Sequence, residues 1–168
     1  MSNPTNKPPV FQEGVYKFRI VGEPETKKSP KSGNHYLLFN FECLGYYNGE
    51  TGVVESNMDG EELAGWEFDF IATWLPDGRN IGLQNIHEGI TPEPLAGIEG
   101  LEKDEKTLIP VDPATGAAFT YDGKELFATA HSEEYVAIDK RTGKPSINPL
   151  TNKPVVSYSR KIKRIMTP

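Results

Sequence analysis

Alternation with a period of two recurs along this chain, and it limits the fold more than any other feature. In residues 14–21 (GVYKFRIV), Tyr16, Phe18 and Ile20 fall on one side and Lys17 and Arg19 on the other, as in a half-buried strand. Residues 35–44 (HYLLFNFECL) set His35, Leu37, Phe39, Phe41 and Cys43 against Tyr36, Leu38, Asn40 and Glu42. In residues 66–75 (WEFDFIATWL), Phe68, Phe70, Ala72 and Trp74 share a face, a grouping that a helix at about 100° per residue would scatter. Residues 155–166 alternate Val156, Tyr158, Arg160, Ile162 and Arg164 against Val155, Ser157, Ser159, Lys161 and Lys163. A further strand or bulged hairpin is read over 124–139. Only residues 79–89 (RNIGLQNIHEG) read as a helix, capped by Gly89 and weakened at Gly82 by about 1 kcal/mol relative to Ala.

Between these runs lie most of the 16 Gly and 14 Pro, which suits short strands joined by turns better than a helical bundle. Residues 22–34 (GEPETKKSPKSGN) read as a basic, flexible hairpin tip, residues 46–49 as a turn, and residues 52–60 as holding a short strand. Residues 91–123 read as one long excursion rich in Pro, Gly and acids, and residues 141–145 and 148–152 as turns. Residues 1–9 are read as a flexible N-terminal arm, because their polar, proline-rich letters cannot offset the entropy of ordering. Residues 10–168 are read as one domain. No repeat at a fixed period points to a solenoid or propeller. The expectation is an all-β (β-rich) fold with one short helix: an OB-fold, a five-stranded Greek-key barrel with long loops.

The lone cysteine, Cys43, sits in an apolar run and can form no intramolecular disulfide, so a reducing, cytoplasmic location is expected. The N-terminal residues lack an apolar signal core, and no stretch approaches about 18 apolar residues, so neither export nor a membrane span is expected. The net charge of −6 hides an uneven distribution. Residues 1–36 hold six Lys and Arg against three acids, residues 37–152 seven against twenty-one, and residues 153–168 five against none. First and last strands of a closed barrel are often neighbours, so two basic ends are expected to converge into the positive stripe of a nucleic-acid binder.

The order GVYKFRI, the tip KKSPKSGN, the aromatic run HYLLFNFE and the later GKELFATAHSEEY resembles the OB-fold single-stranded DNA-binding proteins of bacteriophages. The resemblance is one of pattern over roughly residues 10–165. It implies a host-cytoplasmic protein that coats unwound DNA during replication or recombination, with replication or recombination proteins as partners. Many of that family finish in an acidic partner-recruiting tail, whereas these residues finish SRKIKRIMTP, so a tail-mediated partner contact is not expected.

Binding single strands without sequence preference needs cations along phosphates and flat rings for unstacked bases. The expected phosphate contacts are Lys17, Arg19, Lys27, Lys28 and Lys31, with Arg160 and Arg164 accompanying Tyr158; the plainer reading is a solvated strand edge and a tip that deters edge pairing. Tyr36, Tyr46, Tyr47, Trp74 and Tyr158 are the ring candidates, whereas Phe18, Phe39, Phe41, Phe68 and Phe70 are read as core. His35, His87 and His131 are scattered without metal-ligand spacing, and adjacent acids such as Glu133 and Glu134 point to opposite faces of a strand. No catalytic residue, metal or cofactor is therefore expected. The partner is single-stranded DNA or RNA. The alternative is a protein-interaction or structural β-barrel, with a metal-dependent nuclease third. The acidic stretch 93–105 is either a solvated loop or a strip that competes with nucleic acid or docks a basic partner.

Overall fold

The computed structural model describes residues 9–90 and 97–166. The strands are β1 (Gly14–Ile20), β2 (Glu25–Lys28), β3 (His35–Asn48), β4 (Val53–Glu55), β5 (Asn57–Met58), β6 (Glu61–Glu62), β7 (Glu67–Thr73), β8 (Glu125–Val136) and β9 (Val156–Met166). One helix, α1 (Ile81–Ile90), and a short 3-10 turn (Ile98–Gly100) complete the described elements. The fold is mostly β, built on one antiparallel sheet of seven strands.

The long strand β3 organises that sheet. One of its edges pairs with β1 (Tyr16 opposite Tyr46 to Ile20 opposite Phe41) and β2 (Glu25 opposite Leu38 to Lys28 opposite His35). Its other edge pairs with β7 (Tyr36 opposite Thr73 to Glu42 opposite Glu67) and β4. β8 returns beside β1, and β9 beside β8. β7 and β9 curl toward each other, but no ladder joins them, so the sheet is not closed. Arg160 spans that seam by donating from Nε to the carbonyl of Glu67 (2.9 Å).

The alternation places the core as expected. Phe18, Ile20, Leu37, Phe39, Phe41, Cys43 and Phe68 are buried, each large side chain contributing about 1.5–3 kcal/mol by burial. Phe18 meets Phe68 edge-on at 5.1 Å, and Phe41 stacks on Phe70 at 5.3 Å. α1 closes one side of this core against β7, β8 and β9. Its first turn is capped by buried Asn80, whose Oδ1 accepts from Leu83 N–H while Nδ2 donates to the Ala72 carbonyl. Gly82 and Gly89 are where the helix presses closest. A Cβ on Gly82 would lie 3.2 Å from Ala72 Cα, and one on Gly89 would lie 2.9 Å from Ile165 Cγ2. Gly89 is thus a packing residue inside the helix, which runs on to Ile90, and not the cap that the sequence reading expects.

Among the described residues, six loops are built from one six-residue unit, which opens at Ser29, Asn48, Asp104, Asp112, Asp139 and Asn148. In each, the fifth residue (Gly33, Gly52, Leu108, Gly116, Gly143, Asn152) takes positive φ and its N–H donates to the first carbonyl at 2.8–2.9 Å. The first side chain accepts from an N–H inside the turn in every copy. In five copies the fourth Ser or Thr hydroxyl also accepts from the sixth N–H. Each unit satisfies several of its own backbone N–H groups, so much of the order of a loop made of them is local.

This device gives shape to two segments that the sequence reads as loops. The described part of the excursion 91–123 is ordered: two units, bridged at Lys103–Pro110 and Val111–Ala118, run between buried Ile98 and buried Tyr121. The Glu23 carboxylate accepts from Tyr121 N–H (2.9 Å) and Asp122 N–H (3.1 Å), pinning its end. The tip 22–34 contains strand β2 and ends in a unit of the same kind. Residues 46–49, read as a turn, belong mainly to β3, which continues through Gly45 to Asn48. The arm expected over 1–9 falls outside the described residues except for Pro9, which is buried. Glu93, where the acidic stretch begins, also lies outside them.

Beyond Ala130, the residue opposite Gly14, β8 and β9 leave β1 behind and continue as a two-stranded ribbon to Val136 opposite Val156. Two turn units, 139–144 and 148–153, form its tip. They are laced by Ala137 N–H to the Val155 carbonyl (2.9 Å), Ser146 N–H to Ala137 and Val155 N–H to Ser146 (both 2.8 Å).

Candidate nucleic-acid interface

Lys17 and Arg19 stand on the outer face of β1, and neither is free. Lys17 pairs with Glu125 at 3.0 Å and Arg19 with Glu42 at 2.5 Å. The Glu42 hydrogen bond and charge hold the Arg19 guanidinium above its ordinary pKa. This part of the outer face is therefore charge-matched and is not a positive stripe. Lys27 pairs with Glu25 at 3.5 Å. Among the described residues, Lys28 and Lys31 have no carboxylate within 4.0 Å.

The rings divide three ways. Trp74 is 7% exposed, and the Lys103 ammonium lies 4.0 Å from its ring centre, which leaves no open face for a base. Tyr46 rests edge-on against Tyr16 (5.5 Å) at the margin of the core, and Tyr47 edge-on against Phe127 (5.0 Å). Tyr36, half-buried on the outer face of β3, lies opposite Lys27 on one side and Thr73 on the other. Tyr158 is 41% exposed on the ribbon.

A bulge in the last ladder alters the expected alignment of β9. The register shifts between Thr129 and Ala130, where Ile162 and Arg164 oppose successive residues and Lys163 is the extra one. Tyr158, Arg160 and Ile162 remain on the face that continues the interior, whereas Arg164 turns to the outer face with Lys161. Arg160 and Arg164 therefore do not both accompany Tyr158. Arg164 instead shares the outer face with Lys17 and Arg19, because Thr129, its partner, also opposes Val15. Lys163 pairs with Glu13.

Arg160 is the best-furnished of the candidates. Its guanidinium lies 5.6 Å from the Trp66 ring and 5.8 Å from Phe68. It lines a cleft of about 570 Å³ between β7 and β9 with Asn40, Glu67, Asp69, Ile71 and Lys161. Residues 137–166 carry eight Lys and Arg against the single Asp139. The sequence reading passes over Trp66 as a companion of Arg160, and over Lys140, Arg141, Lys144 and Lys153, of which it takes Arg141 and Lys144 as plain turn residues. The signal was the near-repeat IDKRTGKP and INPLTNKP, nine residues apart.

A second hollow, of about 490 Å³, lies between α1 and the loop before β8, lined by His87, Asp112, Thr115, Phe119, Tyr121 and Lys124. His87 Nε2 is 2.8 Å from the Tyr121 hydroxyl, and its ring meets Phe119 edge-on at 4.7 Å. Burial lowers the His87 pKa to about 4 and raises that of Tyr121, so both are neutral at pH 7 and act as a polar clasp. Among the described residues no three His, Cys, Asp or Glu gather into a metal-holding group. None of the described helices is long and apolar enough to cross a membrane. No family model, curated protein or solved structure matches this chain.

Proposed function

We propose that this chain is a non-enzymatic single-stranded DNA-binding protein on an OB-type barrel, serving replication or recombination as the phage proteins it resembles do. Three features support the barrel reading. β1, β3 and β7 form a meander, β8 and β9 return on the far side of β1, and α1 lies between the third and fourth long strands. The seam between β7 and β9 is where such a barrel closes.

The observation that carries the functional reading is the β9 side of the molecule. Arg160, Lys161 and Arg164 have no carboxylate partner among the described residues, and Tyr158 and Trp66 stand beside Arg160. Cations there follow the phosphates, and Tyr158 offers a stacking face, a contact worth about 1–3 kcal/mol per base. The charge-matched Lys17 and Arg19 contribute little, since a phosphate must first displace Glu125 and Glu42.

The test is a fluorescence titration with an oligo-dT of about 20–30 nucleotides at several salt concentrations. Tryptophan emission should be quenched through Trp66. If Lys28, Lys31, Arg160, Lys161 and Arg164 all engage, log K should fall against log salt with a slope of about −3.5. The triple variant Arg160→Gln, Lys161→Gln, Arg164→Gln should lose about 2 of that slope, and Lys17→Gln almost none. Absence of binding at about 50 mM salt would remove the proposal.

A further inference from the structure

The ribbon has two unlike faces. Cross-strand partners share a face, and so do residues two apart along a strand. Val136 opposes Val156, and bridges join Ile138 to Pro145 and Ile147 to Pro154, which makes one face apolar. The other face carries Tyr135 opposite Ser157, followed by Ala137, Ser146 and Val155, whose backbones close a three-way cycle of hydrogen bonds. Lys144 and Lys153 each precede a proline of the apolar face by one residue, so they belong to this second face. Toward the body of the sheet it runs on through Ser159 to Lys161, and so joins the outer face that holds Arg164.

Tyr135, which the sequence reading does not single out, is 51% exposed, the most open aromatic side chain among the described residues. Its ring lies against no other ring or cation, whereas Trp74 is covered by Lys103 and Tyr46 and Tyr47 rest on neighbouring rings. Ser157, Ser159, Ala137 and Val155 around it are small, which leaves room for a flat partner. Lys144, Lys153 and Lys161 are exposed and have no carboxylate within 4.0 Å among the described residues. Two acids share the face, and both are engaged: Asp139 accepts from the Arg141 N–H inside its turn, and Glu133 lies 3.1 Å from His131 Nε2. We propose, resting on the DNA-binding reading, that this face is a second track for single-stranded DNA, with Tyr135 stacking on a base and Lys144, Lys153 and Lys161 meeting phosphates. From Lys161 to Lys153 the chain advances about 26 Å, so the track serves only a strand long enough to run out along the ribbon. The laced backbone holds the face in shape beforehand, so binding orders little further chain.

The experiment titrates the full chain with labelled oligo-dT of increasing length, up to about 30 nucleotides, by fluorescence anisotropy. On the longest, Tyr135→Ala should weaken binding about tenfold while Tyr135→Phe binds like wild type, since the ring and not the hydroxyl stacks. The double variant Lys144→Gln, Lys153→Gln should flatten the slope of log K against log salt by about 1.4. In Tyr135→Ala and in the lysine variant affinity should stop rising at a shorter oligonucleotide than in wild type, because the ribbon no longer extends the site. All the substituted positions are exposed, so circular dichroism should be unchanged; should Tyr135→Ala disturb the ribbon, the lysine variant decides. Variants that match wild type in affinity, slope and limiting length would overturn the proposal, leaving DNA binding by the body of the sheet intact and the basic face to an acidic protein. An equal loss in Tyr135→Phe would overturn the stacking role. A wild-type chain that binds none of the oligonucleotides would remove both this track and the reading on which it rests.

Discussion

Acidification should loosen this fold through one side chain, His87. Its imidazole is 2% exposed, and burial lowers its pKa to about 4 from an ordinary value near 6.5. Between those two values the unfolded chain binds a proton that the folded one refuses, so stability rises with pH across that window. Each pH unit of the interval is worth about 1.4 kcal/mol, which makes the total loss about 3 kcal/mol on going from neutral pH to pH 4. Depressed carboxylates act in the same direction. Glu13 is lowered by Lys163, Asp77 by the Arg79 N–H and Asp104 by the Thr107 N–H. They are common to any His87 variant and cancel in a difference. Urea denaturation of wild type and His87→Gln at several values between pH 4 and pH 7 isolates the term. The wild-type advantage at neutral pH should shrink by about 3 kcal/mol at the acid end. By NMR the His87 ring should titrate near pH 4. A constant difference between the proteins, or a midpoint near 6.5, would refute the reasoning.

Two further outcomes test the packing. Gly45→Ala should cost about 3 kcal/mol in thermal or chemical unfolding, because its Cβ would stand 2.5 Å from the Glu55 carbonyl oxygen at a φ of +151°; a loss under about 1 kcal/mol would mean that β4 yields to the methyl group. The Cys43 thiol, fully buried and pushed up to about 12 by that burial, should resist a disulfide reagent in the native protein and react promptly in denaturant. Fast native labelling would contradict the closed packing around β3.

What could be read from the letters was what alternation encodes. Phe18, Phe39, Phe41 and Phe68 are core because their neighbours along each strand are polar or outward-facing, and that information is local. The helix was legible from Leu83 and Ile86, but Gly82 looked like a weakness and Gly89 like a cap, since the strands that press on them lie elsewhere in the chain. β2 was invisible, because Glu25–Lys28 has no apolar face to reveal it and exists by pairing with His35–Leu38. At the candidate interface the same limit applies. Lys17 and Arg19 look available until Glu125 and Glu42 are brought beside them by long-range pairing. The parity of Arg164 depends on a bulge that no local pattern announces.

The turn unit has an evolutionary corollary. Shape is carried by its first, fourth and fifth positions, while the second and third are exposed in every copy and carry Lys140 and Arg141 in one copy but Pro113 and Ala114 in another. Surface character can therefore be rewritten loop by loop without a new folding problem to solve. A lineage under pressure to change what it touches has, among the described residues, six such sockets to vary while the sheet stays put.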